Sequence, residues 1–182
     1  MQQTPFTITT IKAIIGLGNP GPQYAKHRHS IGFRIVDELV QQANGTWRII
    51  DDIALAEIQL PTPAEPQKII VIKPQRYMNN SGYVAPFLHK KGISSEEILV
   101  IHDELEKEFG IIQIRLGGSA RGHKGLKSLI SAVGESFWRL RFGIARPTDK
   151  ADVPNYVLTN FTQEEETLLP ELIQKACKVL IL

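Results

Sequence analysis

The chain has 182 residues, a net charge of +2 and one cysteine, Cys177. Its length suits one domain with its own hydrophobic core. A lone cysteine excludes an internal disulfide framework, and no stretch approaches the roughly 20 apolar residues of a membrane span. We therefore expect a single soluble, cytoplasmic domain over residues 1–182.

Apolar, β-branched runs predict seven strands, and helical spacing predicts the segments between them. Strands are expected at residues 11–17, 47–50, 53–60, 68–73, 97–102, 111–116 and 138–145, and helices at 30–43, 81–91, 123–133 and 161–180. The last helix opens with a capping box of Thr162 and Glu165, and Pro170 should kink or split it. This alternation indicates an α/β fold: a three-layer sandwich with a mixed sheet of about seven strands, parallel at its centre and flanked by helices.

The first predicted strand runs into GLGNPG, residues 16–21, which fits the G-x-G-x-x-G dinucleotide fingerprint letter for letter. Pro20 and Pro22 flank Gly21, and prolines have no amide hydrogen to offer a phosphate. The acidic residues that should end a second strand, Asp37 and Glu38, lie instead within a helical pattern. The motif therefore argues against a nucleotide-binding oxidoreductase.

Polar side chains follow three of the predicted strands. Asn19 follows the first strand, with His29 ten residues later; Asn79 and Asn80 follow the strand at 68–73; and Asp103 follows the strand at 97–102. Ligands of open α/β sheets bind beyond the carboxyl ends of the strands, so we expect these residues to share a cleft. A histidine held by a carboxylate can take a proton from water, and asparagine N–H groups can bind an oxyanion. The pattern favours metal-free hydrolysis of an ester or amide.

Two other chemistries use some of the same residues. Ser81 could serve a Ser-His-Asp triad, but the G-x-S-x-G nucleophile elbow is absent, and NNSG is typical of a helix N-cap. A metal could bind His29, His102, Asp103 and Glu104, although the chain lacks H-E-x-x-H and paired-cysteine spacings. Both alternatives stay open at this point.

Basic residues concentrate in residues 112–150, which carry eight lysines and arginines against two acidic residues. A glycine-rich loop, residues 117–125, leads into a helix that carries Lys127. In the strand that follows, alternation places Arg139 and Arg141 on one face. The segment is either a surface that binds a phosphodiester backbone or a solvated sheet edge.

Five segments together resemble the bacterial-type peptidyl-tRNA hydrolases, from about residue 11 to the C-terminus. They are GLGNPGPQYAKHRHSIG, KPQRYMNNSG, ILVIHDELE, GGSARGHKGLKSLI and WRLRFGIARP. The resemblance implies a cytosolic monomer without a cofactor or metal. Its implied activity is cleavage of the ester between a peptide and the 3′-terminal ribose of peptidyl-tRNA.

The resemblance also implies roles for individual residues. His29 would be the general base that activates water, and Asp103 would hold and stabilise it. Asn19 would help to discriminate N-blocked from free aminoacyl ends. Asn79 would bind the peptide portion and is a candidate to stabilise the oxyanion.

Other positions would contact the tRNA. Tyr24 and Tyr77 match residues that line the site for the tRNA 3′ end, with Tyr77 in place of the usual phenylalanine. Lys124 replaces an asparagine that contacts substrate, and Ser30 replaces an asparagine at a place where serine should serve as a helix N-cap. The expected contacts to tRNA phosphates are Arg121, Lys127, Arg139 and Arg141.

A second function from a different class uses the same surface. A relative of this fold could keep the RNA-binding face and serve as a non-hydrolytic RNA-binding or splicing accessory protein. Lys124 favours that alternative, whereas the presence of His29, Asp103, Asn19 and Asn79 weighs against it.

Overall fold

A seven-stranded mixed sheet forms the centre of the molecule in the computed structural model, which describes residues 6–181. Residues 1–5 and 182 of the expected domain lie outside the described residues. The strands are β1 Ala13–Gly16, β2 Arg48–Ile50, β3 Ile53–Leu60, β4 Gln67–Pro74, β5 Ile98–Glu104, β6 Ile112–Leu116 and β7 Trp138–Gly143. Each lies where the sequence predicts a strand.

The sheet has the order β2-β3-β4-β1-β5-β7-β6. Its four central strands, β4, β1, β5 and β7, run parallel, while β2, β3 and β6 pair antiparallel at the flanks. Every residue of β1 and β5 is buried, which explains their almost continuous apolar runs. The predicted mixed sheet with a parallel centre is confirmed.

Helices cover both faces of the sheet. They are α1 Ile31–Gln42, α2 Ala85–Lys90, α3 Lys124–Val133, α4 Val153–Tyr156 and α5 Gln163–Ile181. Buried residues of α1 and α5 share one hydrophobic core, and those of α2 and α3 share a second on the opposite face. The predicted three-layer sandwich is therefore correct. Within residues 6–181, no helix combines the length and apolarity that crossing a membrane requires.

Two helices differ in detail from the sequence prediction. A 3-10 helix, Met78–Val84, precedes α2, so the predicted helix at 81–91 is α-helical only in its second part. The capping box of α5 is present, with the Thr162 amide donating to Glu165 at 2.7 Å and the Glu165 amide donating to the Thr162 hydroxyl at 3.2 Å. α5 then continues through Pro170 without a break. Its buried face, which includes Leu169 and Ile173, holds the helix together across the missing hydrogen bond.

The start of α1 packs directly against the sheet because Gly32 has no side chain. A Cβ atom there would lie 2.4 Å from the carbonyl oxygen of Ile101 and 2.5 Å from that of Leu17. The backbone of α1 can therefore approach the carboxyl ends of β1 and β5. This contact also fixes the position of the turn just before α1, which carries His29.

Gly32→Ala should destabilise the protein, because the added methyl group must push α1 away from two backbone carbonyls. Overpacking of this kind costs about 2 kcal/mol in the free energy of unfolding. Urea denaturation measures the loss. Gln41→Ala, on the exposed side of the same helix, is the matched control and should leave the stability nearly unchanged. Equal stabilities of the two variants would contradict the close contact.

Candidate active site

A cleft of about 790 Å³ opens beyond the carboxyl ends of the central strands. It lies where the polar residues at the end of β5 and after β1 and β4 converge, because these three strands are neighbours in the sheet. The candidate residues from the sequence analysis that line it are Asn19, Tyr24, His29, Tyr77, Asn79, His102, Asp103, Glu104, Arg121, Lys124, Arg139 and Arg141. The structure thus brings together three strand ends that are far apart in sequence.

His29 and Asp103 form a hydrogen-bonded pair at the floor of this cleft. Nδ1 of His29 lies 2.8 Å from Oδ1 of Asp103, and both side chains are buried. Burial alone would raise the pKa of Asp103, but the imidazoles of His29 and His123 outweigh it and hold that pKa well below its usual range. An anionic Asp103 accepts the Nδ1 proton of His29. The lone pair of His29 is then on Nε2, which accepts no hydrogen bond from residues 6–181.

His123 completes this group, and the sequence analysis missed it. Its Nε2 lies 3.0 Å from the same Asp103 oxygen, and its Nδ1 accepts a hydrogen bond of 3.3 Å from the amide of Leu126. His123 is therefore the N-cap of α3. The sequence signal was a polar residue after a glycine-rich loop and directly before a predicted helix. The resemblance assigns a substrate contact at this place only to the neighbouring Lys124.

The donor atoms of His29, Asp103 and His123 lie within 4.8 Å of one another, a spacing that a metal ion could bridge. Ligation through Nε2 of His123 would move its proton to Nδ1, where it would face the Leu126 amide hydrogen and break the helix cap. The hydrogen bonds thus oppose a metal at this place and favour proton transfer.

The other residues considered for metal binding or nucleophilic attack are engaged elsewhere. Nδ1 of His102 lies 2.7 Å from the Asp103 carbonyl oxygen, and burial lowers the pKa of His102 to about 3. Glu104 accepts a hydrogen bond of 2.8 Å from Arg141. Ser81 is fully buried, and its hydroxyl donates to the carbonyl of Met78 rather than facing the cleft. A serine triad therefore has no accessible nucleophile at Ser81.

Asn19 is held in a fixed orientation by its neighbours. Its Oδ1 accepts a hydrogen bond of 2.8 Å from the amide of Met78, and its own amide donates to the hydroxyl of Ser30 at 3.2 Å. Ser30 occupies the N-cap position of α1, but its side chain does not cap the helix, so the expected capping role is wrong. Its hydroxyl instead joins the start of α1 to the loop after β1. The N–H₂ group of the Asn19 side chain can then donate hydrogen bonds to a ligand in the cleft.

Two tyrosines form an aromatic rim at the mouth of the cleft. The Tyr77 side chain is largely exposed, and its ring lies edge-on to Tyr24 with centroids 6.0 Å apart. Tyr24 in turn packs against His27 at 5.4 Å. Aromatic faces of this kind can stack on unpaired nucleobases.

Exposed basic side chains lie beside the cleft. Arg121 and Lys124 line it, and Lys127 lines an adjoining groove of about 490 Å³. Asn79 and Lys124 belong to both cavities, so the groove continues the cleft along α3.

Arg139 and Arg141 differ from the expectation that they contact tRNA phosphates. Both are buried, because β7 lies inside the sheet between β5 and β6. Arg139 donates to the carbonyls of Ser119, at 2.8 Å, and Gly118. Burial, and next the neighbouring Arg115, lower its pKa to about 10. With Arg141 bound to Glu104, both guanidinium groups hold the wall of the cleft rather than present an exposed charge.

The segment that carries His29 is anchored to the C-terminal part of the chain. The amides of Arg28 and His29 donate to carbonyls in residues 157–159 at 3.0 and 2.9 Å. The buried Arg28 guanidinium forms an ion pair of 2.7 Å with Glu165 and lies 4.5 Å from the ring centre of Tyr156. The backbone of His29 therefore depends on the packing of α5 and the segment before it.

Comparison with known proteins identifies the family. A family model described as peptidyl-tRNA hydrolase matches residues 13–182. The chain belongs to the peptidyl-tRNA hydrolase family. The peptidyl-tRNA hydrolases of Aquifex aeolicus and Desulfitobacterium hafniense are similar to it at 41% and 39% identity, over 94% of this chain and 88% and 92% of theirs.

The crystal structure of peptidyl-tRNA hydrolase from Acinetobacter baumannii has the same fold, with a TM-score of 0.85 and 33% identity over 98% of this chain and 91% of that one. These matches confirm the family that the five sequence segments indicate. They support the hydrolase over the RNA-binding accessory protein.

Glu165→Gln should weaken the anchor beneath His29. Burial alone would raise the pKa of Glu165, but hydrogen bonds from Arg28 and from the amide of Thr162 lower it overall. A lowered pKa means that the charged form stabilises the fold above the unfolded pKa of about 4.3, and that this stabilisation is lost as pH falls through the folded value. We expect a loss of about 1 kcal/mol at neutral pH.

Glu165→Gln should lower the free energy of unfolding less in acid, because the protonated side chain of wild-type Glu165 is then uncharged, as glutamine is. Urea unfolding at neutral pH and at a series of pH values below about 4 measures both differences, because the lowered pKa of Glu165 moves its protonation to more acid pH. Glu171→Gln, an exposed position on α5, is the matched control. A stability difference that does not narrow in acid would argue against the ion pair.

Proposed function

We propose that this protein hydrolyses the ester between the peptide and the 3′-terminal ribose of peptidyl-tRNA, with His29 as general base and Asp103 as the group that holds it. Membership of the peptidyl-tRNA hydrolase family supports the reaction. The observation that supports the assignment of the base is the 2.8 Å contact between Nδ1 of His29 and Asp103 at the floor of the cleft.

The reaction follows from the tautomer that this contact selects. Nε2 of His29 takes a proton from water, and the water oxygen forms a bond to the ester carbonyl carbon. The resulting tetrahedral intermediate breaks its bond to the ribose oxygen, which receives the proton from His29. Free peptide and free tRNA result. Asp103 stabilises the imidazolium during these steps without itself becoming protonated.

The asparagines supply neutral donors for the substrate. Asn79 lies on the cleft side of the 3-10 helix Met78–Val84, and its N–H₂ group is proposed to bind the peptide and the oxyanion. Asn19 is proposed to recognise an N-blocked aminoacyl end, and its hydrogen bond from Met78 orients it for that contact. Neutral donors suit a substrate whose amine is blocked.

The tRNA would bind along the rim and α3. Tyr24 and Tyr77 are proposed to stack on bases at the 3′ end, and Arg121 and Lys127 to contact phosphates, which position the substrate without reading its sequence. Lys124 can bind a phosphate in place of the family's asparagine, but it has donors only and cannot accept a hydrogen bond.

We further propose a cytoplasmic monomer that consists of one domain, residues 1–182, and works without a cofactor. The single sheet supports one domain, and the buried free Cys177 suits a reducing compartment. The fixed tautomer of His123, which opposes metal binding, supports chemistry by side chains alone.

His29→Ala should abolish cleavage and leave tRNA binding within about twofold, because the imidazole transfers a proton and contributes a factor of about 10² or more to the rate. Single-turnover cleavage of an N-acetylated aminoacyl-tRNA and a filter-binding assay measure the two properties. His89→Ala, an exposed histidine on α2, is the control and should cleave normally. If the wild-type protein binds tRNA but does not cleave it, the RNA-binding accessory function is favoured instead.

Lys127→Ala should weaken tRNA binding and make it less dependent on salt. Loss of one phosphate contact lowers the slope of log K against log salt concentration by about 0.7 to 0.9. Lys175→Ala is the matched control, because Lys175 is exposed on α5 in the opposite helical layer. Slopes that agree for wild type and Lys127→Ala would exclude Lys127 as a phosphate contact.

A further inference from the structure

We propose that His123 is a positioning residue that fixes the carboxylate of Asp103 and limits how strongly it holds His29. The inference rests on the proposed function, in which His29 is the general base. It adds to that function a second histidine, which acts through Asp103 and does not touch the substrate's reacting atoms.

The first step of the argument is the geometry at a single oxygen. Oδ1 of Asp103 lies 2.8 Å from Nδ1 of His29 and 3.0 Å from Nε2 of His123. The two imidazole rings lie side by side, with centroids 4.7 Å apart. A carboxylate oxygen accepts two hydrogen bonds through its lone pairs, so both positions on Oδ1 are used. Two donors from different parts of the chain leave the carboxylate one orientation.

The second step is the fixed tautomer of His123. Its Nδ1 accepts from the Leu126 amide, so its one proton lies on Nε2 and points at Asp103. Adding a proton to Nδ1 would place two hydrogens against each other and leave the first turn of α3 without its cap. In this arrangement Nε2 of His123 donates to Asp103, and its Nδ1 is occupied by the helix cap and does not act as a base. Two identical side chains on one oxygen have different roles because only one of them caps a helix.

The third step concerns the charge on Asp103. Each N–H donor offsets part of the negative charge on the carboxylate. Removing the His123 donor leaves His29 as the only imidazole partner of Asp103. Asp103 then holds the imidazolium formed at His29 more strongly, so we expect cleavage to require a higher pH. Asp103 also gains freedom to turn, which lowers the rate even where His29 is neutral.

Other titratable and charged groups close to this cluster remain the same in all the variants below. They are His27, His102, Glu104, Lys124, Arg139 and Arg141. A change in pH dependence between variants can then be assigned to the His123 contact.

The test compares His123→Asn with His123→Gln. Asparagine is a good N-cap and can accept from the Leu126 amide, but its side chain is too short to reach Asp103 as well. Glutamine is longer and can offer an N–H to Asp103. His89→Asn makes the same chemical change at an exposed position outside the cleft and is the matched control. Single-turnover cleavage of N-acetylated aminoacyl-tRNA is measured from about pH 5 to about pH 9, the range that brackets an imidazole.

For His123→Asn we expect the plateau rate to fall about tenfold and the pH of half-maximal rate to rise by about half a unit. tRNA binding and thermal unfolding should stay close to wild type. His123→Gln should recover part of both losses, and His89→Asn should match wild type.

The outcomes separate this inference from the function on which it rests. If wild type cleaves and His29→Ala does not, but His123→Asn keeps the wild-type pH profile, the role of His123 is overturned and the hydrolase stands. A lower plateau with no shift in the profile also overturns it, because that pattern indicates only a structural role. If His123→Asn fails to fold, His123→Gln and His123→Ala are compared instead. A pH profile that is shifted in His123→Ala and close to wild type in His123→Gln supports the proposal. An unshifted pH profile in His123→Ala overturns it. Absence of cleavage by wild type overturns both proposals.

Discussion

A buried carboxylate at the end of β5 is the constraint around which this structure is organised. An unpaired charge at the position of Asp103 would cost several kcal/mol, so the fold must bring donors to it. One donor, His29, precedes α1 in one helical layer, and the other, His123, caps α3 in the opposite layer. The two layers therefore meet at one oxygen atom. This explains why the site lies at the centre of the sheet edge, and why its geometry is linked to the packing of both cores.

The sequence predicts the strands well because most of them are buried apolar runs between clear turns. The strand at 53–60, for example, has the predicted bounds. Neighbouring strands then determine the cleft, since β4, β1 and β5 are adjacent and a polar residue of the cleft lies at the end of each strand or shortly after it. Spacing alone thus indicated that Asn19, Asn79 and Asp103 would meet. The family resemblance gave their roles, which stay predictions.

The remaining features depend on contacts that a local pattern does not contain. His123 reaches Asp103 through a loop in which Gly117, Gly118 and Gly122 adopt positive φ, so its direction could not be read from periodicity. Alternation correctly placed Arg139 and Arg141 on one face of β7. It could not show that β6 flanks that strand and that carbonyl and carboxylate groups bind both guanidinium groups.

The anchor between Arg28 and Glu165 has a consequence for the order in which the enzyme becomes active during its own synthesis. Translation reaches His29 long before it reaches the residues that hold its backbone, 157–165. A growing chain therefore has its base without support until the C-terminal helix has emerged and packed. An enzyme that cleaves peptides from tRNA is itself a peptide on tRNA while it is being made. Its fold therefore leaves the site incomplete until residues 157–165 have been made and have packed against the His29 segment.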